Sequence, residues 1–283
     1  MGGSAPWLLS GFGDEIDPDP AIQVAVLQAL GAHHIEVRSA WETGVLDLDD
    51  GQLDSLATLF LDRGMAVSAI ASPVGKVDIS LPVEAEVTRL RRAIAAAHAL
   101  DTRYIRIFSF YSDAGFGGDG ASIARDAVLE RMRALAGLAE RSGVILLHEN
   151  EKEIYGDTPA RVLDIIESVD SMHLRVAWDN ANFVQVGVRP FTDGYALLRD
   201  HLEYLQVKDA VAATGEVVPS GEGDGELVQT LTALRDDGYS GFASLEPHLV
   251  YSDALGGFSG PESFGIAARA FARLTAQLGI DLA

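Results

Sequence analysis

The chain has 283 residues, 48% of them hydrophobic and 22% charged, a globular mixture long enough to bury a full core. Forty-two acidic against 21 basic residues give a formal net charge of −21, which repels phosphate backbones and anionic membranes and argues against nucleic-acid and membrane partners. Cysteine is absent, so disulfides, thiolate metal sites and cysteine nucleophiles are excluded.

The first ten residues carry no Lys or Arg and only a short apolar stretch, so they do not read as a signal peptide. No run approaches the roughly 18 apolar residues of a membrane span. A soluble cytoplasmic protein is expected. Strand and helix patterns then alternate eight times. Residues 7–13 are a short apolar run ending at Asp14 and Glu15, and residues 21–30 predict a helix closed by Gly31. A strand at 34–38 precedes a helix at 53–62 stopped by Gly64, and a strand at 66–71 precedes a long helix at 83–100. Aromatic and β-branched residues make 104–110 a strand, followed by a helix at 121–142. The second half continues with strands at 144–148, 174–178, 204–208 and 242–245. Its helices fall at 159–169, with Thr158 as N-cap, and at 190–199, 227–237 and 261–278. Such alternation predicts parallel strands with right-handed crossovers. Eight units in this length fit a single-domain (β/α)8 TIM barrel spanning residues 1–283. The longest irregular stretches, 111–120 and 209–225, follow strands and fall on the active-site face.

In such a barrel the chemistry sits at the C-terminal strand ends. Glu149, Asp179, Gln206 and Glu246 end strands 5 to 8 at intervals of 30, 27 and 40 residues, close to the roughly 30 residues of one βα unit. Converging carboxylates repel, and a divalent cation is the simplest remedy. An all-oxygen set suits Mn2+ or Mg2+ better than Zn2+. Taken singly, each carboxylate reads more readily as a solvated group at a loop start; the whole set at barrel spacing favours a shared site.

The stretches HENEKEIYGDTP (148–159), WDNANFVQVG (178–187), YLQVKDA (204–210), GEGDGEL (221–227) and SLEPHL (244–249) resemble the xylose isomerase-like sugar isomerases and epimerases, and GFGDEID (11–17) also fits. That group includes ketose 3-epimerases, hydroxypyruvate isomerase and inosose dehydratases. The resemblance implies that the Glu of strand 5, Asp of strand 6, His of strand 7 and Glu of strand 8 bind a metal. Carried over, these are Glu149, Asp179, Gln206 and Glu246. Gln206 departs from the pattern. Its amide is neutral like imidazole but a poorer donor, which implies weaker metal binding, harder ions, a ligand supplied by water or a degenerate site. The family also makes a homo-oligomer an open alternative to a monomer.

Other residues join the candidate site. Lys208 shares strand parity with Gln206 and faces the interior, either toward a substrate oxygen or as a partner for a carboxylate. His248 shares parity with Glu246 and suits a sugar hydroxyl. Asn182 sits where the family often contacts substrate. Glu36 and Arg38 end strand 2 and reach substrate or each other. His148 points toward the helix layer. Trp41, Phe108 and Phe110 wall the pocket or fill the core. The acidic 221–225 loop disfavours a phosphorylated substrate and is expected to shape the mouth and cap the following helix.

The leading expectation is a divalent-metal-dependent isomerase or epimerase of a non-phosphorylated sugar or keto-polyol. It would work through an enediolate, with Glu149 and Glu246 as acid and base. A lyase or dehydratase using the same enolate is the first alternative. An endonuclease acting at abasic DNA is opposed by the charge of −21. A non-catalytic sugar-binding barrel is kept open by Gln206.

Overall fold

Eight parallel strands form one sheet: β1 (Leu8–Gly11), β2 (His34–Val37), β3 (Ala66–Ala71), β4 (Tyr104–Ile107), β5 (Ile145–Glu149), β6 (Leu174–Asp179), β7 (Leu202–Val207) and β8 (Phe242–Leu245). They are seen in a computed structural model that describes residues 5–112, 115–116, 121–250 and 258–283. Each strand pairs with its sequence neighbour from β2 to β8, and β8 pairs with β1. A parallel bridge from Phe12 to Glu36 then joins β1 to β2 and closes a (β/α)8 barrel.

The helices are α1 (Pro20–Ala29), α2 (Asp50–Arg63), α3 (Val83–Ala99), α4 (Ala121–Ser142), α5 (Pro159–Val169), α6 (Asn180–Gln185), α7 (Leu227–Asp236) and α8 (Gly260–Gln277). Local chemistry sets several ends. Asp19 caps α1, and Asp49 with Gln52 forms a capping box that opens α2. Gly64, in the left-handed conformation at φ 62°, closes α2. Thr158 holds the N-cap place of α5, but its side chain makes no capping bond. Among the described residues, no helix is long and apolar enough to cross a membrane.

Two elements differ from expectation. The regular helix expected at 190–199 is a π-type turn over Pro190–Tyr195, one short turn over Ala196–Leu198 and a 3-10 turn over Arg199–His201. The backbone presses closely there, since a Cβ on Gly194 would lie 2.8 Å from Pro159. Second, β4 stops at Ile107. Beyond it Phe108 N donates to Val74 O, and Phe110 turns to a φ of 70°. The 111–120 stretch lies partly outside the described residues.

Alternation along the strands separates two cores. Most of the apolar core lies between sheet and helices, with Leu146, Trp178, Leu205, Val207 and Leu245 buried in it. A smaller apolar cluster of Ala69, Tyr104, Leu147, Ala177 and Tyr204 is separate. Above Leu147, Ala177 and Tyr204, the next residues of the same parity are Glu149, Asp179 and Gln206, so the barrel becomes polar toward its C-terminal mouth.

Candidate active site

Glu149, Asp179 and Glu246 each place a carboxylate oxygen within 4.8 Å of the others, and all three are buried. Glu149 and Glu246 line a cavity of about 390 Å³ at the barrel mouth, together with Arg38, Arg106, Lys208 and His248. The carboxylates are compensated by this chain's own cations. Lys208 Nζ lies 2.9 Å from Asp179 Oδ2 and 3.0 Å from Glu246 Oε2. Arg106 Nη1 lies 3.0 Å from Glu149 and 3.4 Å from Glu246. Arg38 reaches Glu246 at 3.4 Å and pairs with Asp14 at 2.8 Å rather than with Glu36.

The two glutamates differ in acidity. Burial lifts Glu149 to about 8, with Arg106 pulling it down and Glu246 adding to the rise. Burial also pushes Glu246 up, but Lys208, His248 and Arg106 more than offset it and hold Glu246 well below the usual carboxylate range. His248 Nε2 lies 3.0 Å from Glu15 and 3.3 Å from Glu246. Burial pulls this imidazole down, yet Glu246 and Glu15 lift it to about 9, so it is cationic at neutral pH.

Arg106, Glu15 and Asp14 belong to this cluster, although sequence reasoning gave them no role. The available signal for Arg106 was a charged residue of inward parity in a strand of Tyr, Ile and Phe. Glu15 is fully buried and accepts from the His248 backbone N–H and from the Ser259 hydroxyl.

Other expected contacts are placed differently. Glu36 is fully buried. It accepts from Gln206, Tyr204 and Ser244, and burial lifts it to about 7. It is thus bonded to three buried side chains of the barrel interior and is not among the residues that line the cavity. Asn182 is 3% exposed and donates to Glu149 Oε1 at 3.0 Å and to Asn150 O, so it orients Glu149. His148 is buried beside Gly156, where burial drives it down to about 3 and keeps it neutral. Phe108 and Phe110 are fully buried, with Phe108 beneath the cations of Lys76 and Arg106. Trp41 is 39% exposed.

The 221–225 loop wraps a side chain of the protein. The N–H groups of Gly221, Gly223 and Gly225 all donate to the Asp209 carboxylate, as does that of Ala210. A Cβ on Gly223 or Gly225 would lie 2.5 Å from Asp209 Oδ1, which is why glycine stands there. The expected helix cap is not formed. Glu226 sits at the N-cap of α7 with φ 50° and no side-chain cap, and its carboxylate binds Thr192 instead. Asp209→Asn replaces an acceptor oxygen with a donor amide facing these N–H groups. It is expected to lower unfolding free energy by about 3 kcal/mol, measured by urea denaturation.

The three buried carboxylates Glu149, Asp179 and Glu246 fit a hard divalent cation. The Gln206 amide nitrogen donates to Glu36 at 3.1 Å. Among the described residues, the buried Gln206 Oε1 has no hydrogen-bond partner. An oxygen so placed is costly unless something coordinates it. The acidic cluster could hold a divalent metal, though the Lys208 ammonium contends for the same oxygens.

The family model for the xylose isomerase-like TIM barrel matches residues 24–264. A curated relative, 2-epi-5-epi-valiolone 7-phosphate 2-epimerase of Actinoplanes sp. (strain ATCC 31044 / CBS 674.73 / SE50/110), is 28% identical over 221 residues, 77% of this chain and 78% of the relative. Among solved structures, the probable 3-DHS dehydratase AsbF of Bacillus anthracis superposes with a TM-score of 0.70 at 17% identity, covering 88% of this chain and 92% of that one. A xylose isomerase-like TIM barrel protein from Mycobacterium smegmatis in complex with magnesium gives a TM-score of 0.68 at 20% identity, covering 98% of each chain.

Proposed function

The chain belongs to the xylose isomerase-like TIM barrel family and is an enzyme. On that premise we propose that it moves a hydrogen on the carbon beside the carbonyl of a keto-sugar or keto-polyol. The observation that carries this reading is the pair Glu149 and Glu246, which line one cavity but are pushed to opposite sides of neutral in acidity. Such a split assigns an acid and a base. Glu246, held as a carboxylate, takes the proton from the carbon, and the electron pair moves into an enediolate. Glu149, held protonated, returns a proton to the same carbon from the other face and yields the epimer. Return to the neighbouring carbon gives the aldose–ketose isomer. Solvent exchange resets both groups.

Asn182 and Arg106 fix Glu149, while Lys208 and Arg38 fix Glu246. Asp179, Gln206 and Glu246, joined by Glu149 once it has given up its proton, would hold a divalent ion, Mn2+ or Mg2+ in preference to Zn2+. Such an ion would polarise the carbonyl and its neighbouring hydroxyl. A second reading, loss of water from the same enediolate, is favoured by the cationic His248 beside the base, which can protonate a departing hydroxyl.

The test is incubation with neutral and charged ketoses in D2O with Mn2+ or Mg2+, followed by proton NMR. Loss of the signal beside the carbonyl and growth of an epimer is expected. A new alkene or enol signal would transfer the assignment to the dehydratase reading. Absence of both exchange and product across the panel would end the proposal.

Ligand identity at β7 has its own expected result. Gln206→His should tighten metal binding, most for Zn2+ and Co2+, because imidazole is the stronger donor. Gln206→Leu should weaken binding by leaving one position to water. Calorimetric titration of Mn2+ and Zn2+ into the three proteins compares them. Equal affinities would remove Gln206 from the ligand set.

A further inference from the structure

Of the described residues that line the cavity, six are Lys or Arg and four are Asp or Glu. In the whole chain acids outnumber bases 42 to 21, so this wall inverts the protein's charge balance. Arg38, Arg106 and Lys208 are engaged with the carboxylates. The other three are anchored elsewhere. Arg89 Nη1 donates to the buried Glu86 at 2.7 Å. Arg92 donates to the backbone carbonyls of Leu46 and Leu48, and its Nη1 lies 4.0 Å from the exposed Asp50 carboxylate. Lys76 pairs with Glu151 at 3.0 Å and lies 4.2 Å over the ring of Phe108.

Arg89 and Arg92 stand three residues apart on α3 and so share one helix face. A guanidinium has five N–H donors, and these bonds leave each arginine with donors to spare. Both head groups are thus held in place before a ligand arrives, which limits the entropy lost on binding. A net charge of −21 repels an anionic substrate at long range, so a cationic rim is the feature such a substrate needs. Arginine forks match phosphate and carboxylate oxygens. The expectation of a non-phosphorylated substrate came from the acidic 221–225 loop alone, and that loop spends its N–H groups on Asp209.

We propose that Lys76, Arg89 and Arg92 form an oxyanion subsite at the rim of the cavity, and that the substrate carries a phosphate or carboxylate on the end remote from its reacting carbon. This rests on reading the cavity as the active site.

The test measures calorimetric affinity and D2O exchange side by side with D-fructose, D-fructose 6-phosphate and 5-keto-D-gluconate. At least one anionic ketose is expected to bind tenfold or more tighter than fructose. In R89Q/R92Q that advantage should vanish, while melting temperature reports on folding. Because Arg92 also supports two carbonyls, R89Q alone serves as the second variant and should lose most of the advantage. A gain confined to the phosphate identifies a phosphate monoester, and one confined to the carboxylate identifies a sugar acid. Equal affinities for all three ketoses, or an advantage that survives in R89Q/R92Q, would overturn the subsite. Tight binding through the arginines without hydrogen exchange would leave the subsite standing and remove the hydrogen-transfer reading.

Discussion

Glu149→Gln and Glu246→Gln are each expected to lower turnover by about 10²- to 10⁴-fold, the range spanned by a positioned acid or base. An amide keeps the shape of the side chain but shuttles no proton at neutral pH. The two variants should fail in different ways. Glu149→Gln retains Glu246 as a base, so the hydrogen beside the carbonyl should still exchange with D2O while epimer formation stops. Glu246→Gln removes the base and should stop both. Their folding consequences also differ. Glu149 is held protonated by burial, so its amide changes little electrostatically. Glu246 answers Lys208, Arg106, Arg38 and His248, so its loss leaves buried cations short of a partner and should lower the melting temperature without unfolding the protein. Circular dichroism checks the fold in both. Near-normal turnover in either variant would remove that residue from the acid–base pair.

Lys208→Met should have the second large effect, and its direction depends on metal. The ammonium is 4% exposed and is shared by Asp179 and Glu246. Breaking a buried ion pair by removing one partner costs about 3–5 kcal/mol, so the metal-free variant should unfold at markedly lower urea concentration than wild type. A divalent cation binds the same oxygens without competition once the ammonium is gone. Mn2+ affinity should therefore rise above that of wild type. Metal should also restore much of the lost stability, because ligands that bind only the folded state stabilise it by mass action. Urea denaturation with and without Mn2+, together with calorimetric titration, reads both effects. Equal metal affinity in the two proteins would mean that Lys208 and the ion do not contend for the same oxygens.

Strand and helix order around the barrel followed from the sequence, because burying one face of each helix against a parallel sheet imposes period 3.6 on helices and uniform apolarity on strands. Strand parity likewise placed Lys208 on the same face as Gln206, since successive side chains alternate by geometry alone. The tertiary structure alone decided which groups meet. Glu15 and His248 are 233 residues apart in the chain, and nothing local to either predicts the other. Arg106 reads along its strand as one polar residue among apolar ones, and its meaning comes from Glu149 on the neighbouring strand and Glu246 across the barrel. Register between strands is also invisible in one dimension. Gln206 is in register with Asp179 on one side and with Ser244 on the other, and it shares Glu36 with Ser244 and Tyr204. The glycines at 221–225 could have surrounded a phosphate on local grounds. Only the folded chain brings the Asp209 carboxylate to their N–H groups, and a buried carboxylate surrounded by donors leaves no room for another anion.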